Sequence, residues 1–141
     1  MLVDANLLIY AVDSASPLHD RARDWLSQQL NGNARVAIPW QSFAAFLRMV
    51  THPRASEDPL TPTEAWSFVE DWLAAEVVWT PEPSNGYSKL VSKLILGYNA
   101  SGNLIPDVML AALAIEHGLP VCSADSDFAR FSELNWINPL V

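Results

Sequence analysis

Basic side chains are scarce in this chain: eight Lys and Arg stand against sixteen Asp and Glu, a formal charge of −8. General affinity for nucleic acid is driven by Lys and Arg, so the balance argues against a broad phosphate-binding surface. Cysteine is scarcer still, with Cys122 the only one. No intrachain disulfide can form, and a reducing cytoplasm is the expected compartment. Long apolar runs are also missing. None reaches the roughly 18 residues that cross a bilayer. At the N-terminus Asp4 interrupts the apolar run, and no basic region precedes it, so a signal peptide is not expected. These absences predict a soluble cytoplasmic protein with no membrane partner.

What is present is a folding sequence. Half of the 141 residues are hydrophobic, with six Trp, five Phe and three Tyr, which predicts one domain over residues 1–141. Short β-type runs alternate with helical patterns, the signature of βα units around a parallel sheet. Strands are predicted from Leu2 to about Ala5, at Arg35–Pro39, Val77–Thr80 and Pro120–Ser123, and near Trp136–Ile137. Helices are predicted near His19–Leu30, along the Phe43, Phe46, Leu47 and Val50 stripe, and after the capping box at Thr61-Pro62-Thr63-Glu64. Two more follow, one marked by Tyr87, Leu90, Val91, Leu94 and Ile95, the other opened by Pro106 and apolar almost all round to Ile115. Trp25, Trp66 and Trp72 fall in helical segments and are expected as core or dimer surface in preference to base-stacking platforms. The predicted fold is a three-layer α/β/α domain with a mostly parallel sheet of four to five strands.

In such sheets functional groups gather beyond the carboxyl ends of the strands, and acidic residues stand there. Asp4 follows the first strand, where an ionised carboxylate is costly to desolvate unless paired or metal-bound. It could equally start a turn, although Asn6 is the better capping residue for a short turn there. Asp107 opens the late apolar helix, where an acid is favoured by the helix dipole alone. Asp125 and Asp127, one residue apart after the fourth strand, could face a cation or cap a short helix. Three distant parts of the chain thus each present an Asp at a strand end or helix start. Crowded carboxylates raise each other's pKa unless a cation lies between them. An oxygen-only set suits Mg²⁺ or Mn²⁺, and such ions orient and acidify water in phosphoryl chemistry. Ser123 and Asn6 are placed to orient these carboxylates.

Three segments resemble motifs of the PIN-domain nucleases: Leu2-Val-Asp4-Ala-Asn6-Leu-Leu-Ile-Tyr-Ala11, Gly102-Asn-Leu-Ile-Pro-Asp107, and Val121-Cys-Ser-Ala-Asp125-Ser-Asp127-Phe128. Phe46-Leu-Arg-Met-Val-Thr-His-Pro-Arg54 and Trp136-Ile-Asn-Pro-Leu140 resemble the VapC toxins of type II toxin–antitoxin pairs. The ordered set spans essentially the whole chain. The resemblance implies an endoribonuclease that depends on Mg²⁺ (or Mn²⁺) and cleaves structured RNA, tRNA or rRNA, by metal-activated water. Asp4, Asp107 and Asp125 would be its metal ligands and Asp127 an outer ligand or water-positioning base. It also implies a homodimer and a cognate VapB-like antitoxin whose basic tail pairs with the acidic pocket. One position departs from the pattern. Many members carry Glu early in the helix after the second strand, and here Gln41 stands. Its amide oxygen could still accept a water beside the metal. Arg48 and His52 share its helical stripe at seven and four residues, so Arg48, His52 or Arg54 is expected to contact RNA phosphate.

Three other readings compete. A phosphoacceptor receiver domain needs a central Asp at the third strand's end and a late Lys, but that strand ends Thr80-Pro81 and no Lys follows Lys93. A small-molecule phosphatase needs a second Asp two residues after the first, where Asn6 stands. A PIN domain weakened by Gln41 would act only as an RNA- or antitoxin-binding module.

Overall fold

The structure is a computed structural model that describes residues 1–141. Its strands are β1 (Leu2–Val3), β2 (Val36–Ala37), β3 (Val78–Trp79), β4 (Val121–Cys122) and β5 (Trp136–Ile137). They form one sheet in the order β3-β2-β1-β4-β5, and every neighbouring pair is parallel. The helices are α1 (Ala5–Val12), α2 (His19–Leu30), α3 (Trp40–Val50), α4 (Pro62–Ala74), α5 (Tyr87–Tyr98) and α6 (Leu104–Glu116), with a 3-10 helix at Ser126–Arg130.

Two residues per strand suffice because successive side chains point to opposite faces. Val3, Val36 and Cys122 enter a core shared with α1, α2, α3 and α4. Leu2, Ala37 and Val121 enter a second core with α5 and α6. This is the three-layer α/β/α arrangement predicted. In α6, Val108 and every residue from Leu110 to Ala114 are buried, so the helix is enclosed and its first turn is held still.

The structure corrects the sequence reading in three places. The first strand stops at Val3, and Ala5 already begins α1, because Asp4 rather than Asn6 is the helix cap. The α1 sequence Ala-Asn-Leu-Leu-Ile-Tyr-Ala-Val has almost no polar stripe to announce a helical period. Helix α3 ends at Val50 with Thr51 as its cap, so His52 lies beyond the helix and off the stripe of Gln41 and Arg48. Helix α6 starts at Leu104, two residues before Pro106, whose missing N–H costs nothing in a first turn. Of the helical tryptophans, Trp72 is buried in the core and Trp66 is 40% exposed.

The sheet order turns back on itself between β1 and β4, the two strands laid down first and fourth. A crevice outside the carboxyl ends of the strands is expected at such a switch point. Asp4 and Ser123 are the next residues along those two strands.

Candidate active site

The β1 end of the crevice is fixed by a closed hydrogen-bond network. The Asp4 N–H donates to the Cys122 carbonyl at 3.0 Å, which extends the β1–β4 pairing. Its Oδ1 accepts from the Ala5 N–H at 2.7 Å, and its Oδ2 accepts from Ser123 Oγ at 2.7 Å. Ser123 is fully buried, and its hydroxyl also accepts from Asn6 Nδ2 at 3.0 Å and from the Asp125 N–H at 3.0 Å. Asn6 Oδ1 accepts from the Ala124 N–H at 3.3 Å. Trp136 Nε1 donates to the Ser123 carbonyl at 3.0 Å. Ser42, the other buried polar side chain, donates to the Val3 carbonyl at 2.7 Å, tying the start of α3 to the end of β1. Both buried serines therefore serve the strand end that carries Asp4.

The other end of the crevice is carboxylate facing carboxylate. Asp107 comes from the first turn of α6, and Asp125 and Asp127 from the 3-10 helix after β4. Each offers an oxygen, and these oxygens lie within 4.8 Å of one another. Asp125 is held as the cap of the 3-10 helix, its Oδ1 accepting from the Asp127 N–H at 2.8 Å. Asp127 meets Arg130 Nη2 at 3.2 Å, a half-exposed i,i+3 pair of little energetic weight.

The electrostatics follow from this crowding. Burial pushes the Asp107 carboxyl up to about 6, and the charges of Asp125, Asp4 and Asp127 add to it against the opposing Arg130. Burial also raises Asp4, with a contribution from Asp125, against the hydrogen bonds from Ser123 and Ala5. A cation among these groups would reverse both shifts. The close donors are all oxygens, with no His or Cys among them, which fits a hard divalent ion and not zinc.

Asp4 and Asp107 share a cavity of about 280 Å³ with Gln41, Ser42 and Arg48, and Arg48 is the one basic residue on its walls. Gln41 Nε2 donates to the Pro106 carbonyl at 2.7 Å, next to Asp107. A carbonyl only accepts, so this contact fixes which end of the amide is the nitrogen. His52 and Arg54 are not on these walls. They lie in the loop after α3, where the Arg54 N–H donates to His52 Nδ1 at 3.0 Å.

The structure thus places Asp4, Asn6, Gln41, Ser123, Asp107, Asp125 and Asp127 at one end of the sheet. The closest trio is Asp107, Asp125 and Asp127, with Asp4 beside it, where the sequence reading put Asp127 outermost. Sequence reasoning passed over Ser42, Arg130 and Trp136. Arg130 was detectable as a cation three residues after Asp127. Trp136 stood out only as the start of a VapC-like segment, and its bond to the Ser123 carbonyl, thirteen residues away, has no local sign.

A family model described as the PIN domain matches residues 1–134. The chain is 36% identical over 138 residues to Ribonuclease VapC37 of Mycobacterium tuberculosis, covering 98% of this chain and 96% of that protein. It is 38% identical over 138 residues to Ribonuclease VapC31 of the same species, covering 98% and 97%. Among solved structures, VapBC2 from Rickettsia felis, bound to a fragment of its promoter DNA, superposes with a TM-score of 0.68 at 18% identity, over 97% of this chain and 96% of that one. The chain belongs to the PIN-domain family of VapC ribonucleases.

Proposed function

We propose that this protein is the toxin of a type II toxin–antitoxin pair, a divalent-metal-dependent endoribonuclease acting on structured RNA such as tRNA or rRNA. The observation that supports this most directly is the meeting of Asp107, Asp125 and Asp127 within 4.8 Å, in a chain of the VapC family. Asp107, Asp125 and Asp127 would hold the Mg²⁺ or Mn²⁺ ion, with Asp4 as a fixed charge at its side. When bound, the ion activates a water for attack on a phosphodiester and offsets the charge that develops there.

The chain's own residues set the stage for that reaction. Ser123 and the Ala5 N–H hold the Asp4 carboxylate in one orientation, so it need not reorganise during turnover. Ser123 also binds the Asp125 N–H, which couples the supported end of the crevice to the carboxylate trio. Arg48, on the cavity wall, is the nearest candidate for an RNA phosphate contact. The wider reading is a cytoplasmic homodimer inhibited by a VapB-like partner, in keeping with the toxin–antitoxin pairs among the structural neighbours.

The test compares wild type with Asp4→Ala on total tRNA and rRNA in Mn²⁺ and in EDTA. Cleavage by wild type that EDTA and the substitution both abolish is the expected result. Equal cleavage by the two proteins would sink the mechanism.

A further inference from the structure

Next to the acidic crevice lies a second feature that phosphate chemistry does not use. Trp40 and Trp66 are 47% and 40% exposed, and their rings lie near-parallel at 10° with centroids 6.4 Å apart. Large aromatic side chains normally bury most of their surface, so two exposed side by side call for a ligand. Neither ring is loose. Trp66 Nε1 donates to Glu70 Oε1 at 2.9 Å, one turn further along α4. Trp40 leans on the fully buried ring of Phe43 at 5.2 Å, and Phe43 stacks in turn on Trp72. Trp40 is therefore the outer member of an aromatic series rooted in the core.

Trp40 also walls a cavity of about 360 Å³ with prolines 39, 81 and 83, Gln41, Tyr87 and Leu113, and Glu82 is the one charged residue on its walls. Gln41 belongs to this cavity and to the acidic one, so the two adjoin across a single side chain. A strand with a phosphate at the carboxylates and running past Gln41 would bring a neighbouring nucleotide to this second cavity.

Charge decides what the cavity can take from that nucleotide. With a net charge of −8 and one basic residue on the wall of the acidic cavity, phosphate contacts supply little binding energy. Stacking of a base on an indole needs no charge and tolerates any base. Rings already fixed by Phe43 and Glu70 lose little freedom when a base settles on them. Resting on the ribonuclease reading above, we infer that the Trp40 and Trp66 face, with the cavity that Trp40 walls, binds an unpaired nucleobase adjacent to the cleaved phosphodiester.

The experiment titrates an RNA tetranucleotide carrying 2-aminopurine into the full chain bearing Asp107→Asn, and follows quenching of the probe by stacking. Trp40→Ala added to that protein is expected to weaken binding about ten- to a hundredfold, while Trp40→Phe stays within a few-fold. Thermal melts check that both variants are folded. Unchanged affinity in Trp40→Ala, or no quenching at all, overturns the inference even where wild type cleaves RNA. Loss of dimer in sedimentation with unchanged probe affinity also overturns it, and assigns the face to a protein partner. Failure of wild type to cleave RNA strikes the ribonuclease reading separately, because the quenching readout needs no turnover.

Discussion

The two ends of the crevice are built on opposite principles. At the Asp4 end both carboxylate oxygens are engaged, and the buried Ser123 hydroxyl is shared among Asp4, Asn6 and the Asp125 N–H. At the Asp107 end three carboxylates face one another, and the one ion pair among them is Asp127 with the partly exposed Arg130. One end is satisfied as folded; the other stores repulsion that a cation would relieve. An apolar scaffold can tolerate such repulsion because α6 is anchored by its buried residues, so Asp107 cannot swing away. Strain of this kind is held at a site by the structure around it.

The largest expected effect tests the repulsive end. Asp107→Asn should lower cleavage by at least about 100-fold, the upper range for losing even a supporting group at a metal site. In EDTA at neutral pH it should nonetheless raise the melting temperature. The reason lies in the carboxyl, raised by the fold from 3.8 to about 6. Between those values the native protein keeps a proton that the unfolded chain releases, so native stability falls as pH rises through this window. Above pH 6 the loss is complete. The melting-temperature gap between Asp107→Asn and wild type should therefore open between pH 4 and pH 6 and then level off. In wild type, Mn²⁺ should raise the melting temperature more at pH 7 than at pH 5. A gap that is constant with pH would show that burial and the neighbouring carboxylates do not hold the Asp107 carboxyl up.

The supported end predicts the opposite sign. Ser123→Ala leaves Asp4 Oδ2, Asn6 Nδ2 and the Asp125 N–H without their shared partner in a fully buried spot. Unsatisfied buried groups cost about 1–3 kcal/mol each at most, so a clear drop in denaturation midpoint is expected in EDTA. Activity should fall about 10–100-fold, as for other residues that orient metal ligands. Two substitutions in one crevice, one stabilising and one destabilising, both slow the reaction.

How much of this could be read from the sequence depends on range. Asp4 was visible because a carboxylate that ends an apolar run of β type has few cheap explanations. The Asp125-Ser-Asp127 pair was visible because it follows a buried strand. The helix α1 was not, since Ala5–Val12 is apolar on nearly every side and imitates a strand. Asn6 has two readings in the sequence, a turn cap and, with Ser123, a residue that orients the carboxylates; it caps nothing, and its partners are Ser123 and Ala124, 117 and 118 residues away. The same limit hid Ser42, an ordinary helix residue until Val3 is seen to be its acceptor. Trp66 fits a helical apolar stripe, and only the packing of α3 against α4 leaves it outside with Trp40. Patterns within a few residues were legible; of the contacts that fix the site across the sheet, only the support from Asn6 and Ser123 was.

The smallest expected effect concerns Gln41, which stands between the two ends and departs from the family pattern. As an amide it donates to the Pro106 carbonyl, joining the first turns of α3 and α6 beside Asp107. A carboxylate there has no hydrogen to give, and it would add a further negative charge to the crowded end of the crevice. Gln41→Glu should therefore destabilise the metal-free protein by about 1 kcal/mol, the net worth of one hydrogen bond, with the loss fading at low pH where the new carboxyl is protonated. In Mn²⁺ the sign should reverse, because a fifth carboxylate near the trio then faces a cation. The measurement is the melting temperature of both proteins with EDTA and with Mn²⁺ at pH 5 and pH 7. A substitution that is neutral in all four conditions would show that the Gln41 to Pro106 contact does not couple α3 to the metal site, and would leave Asp107 positioned by α6 alone.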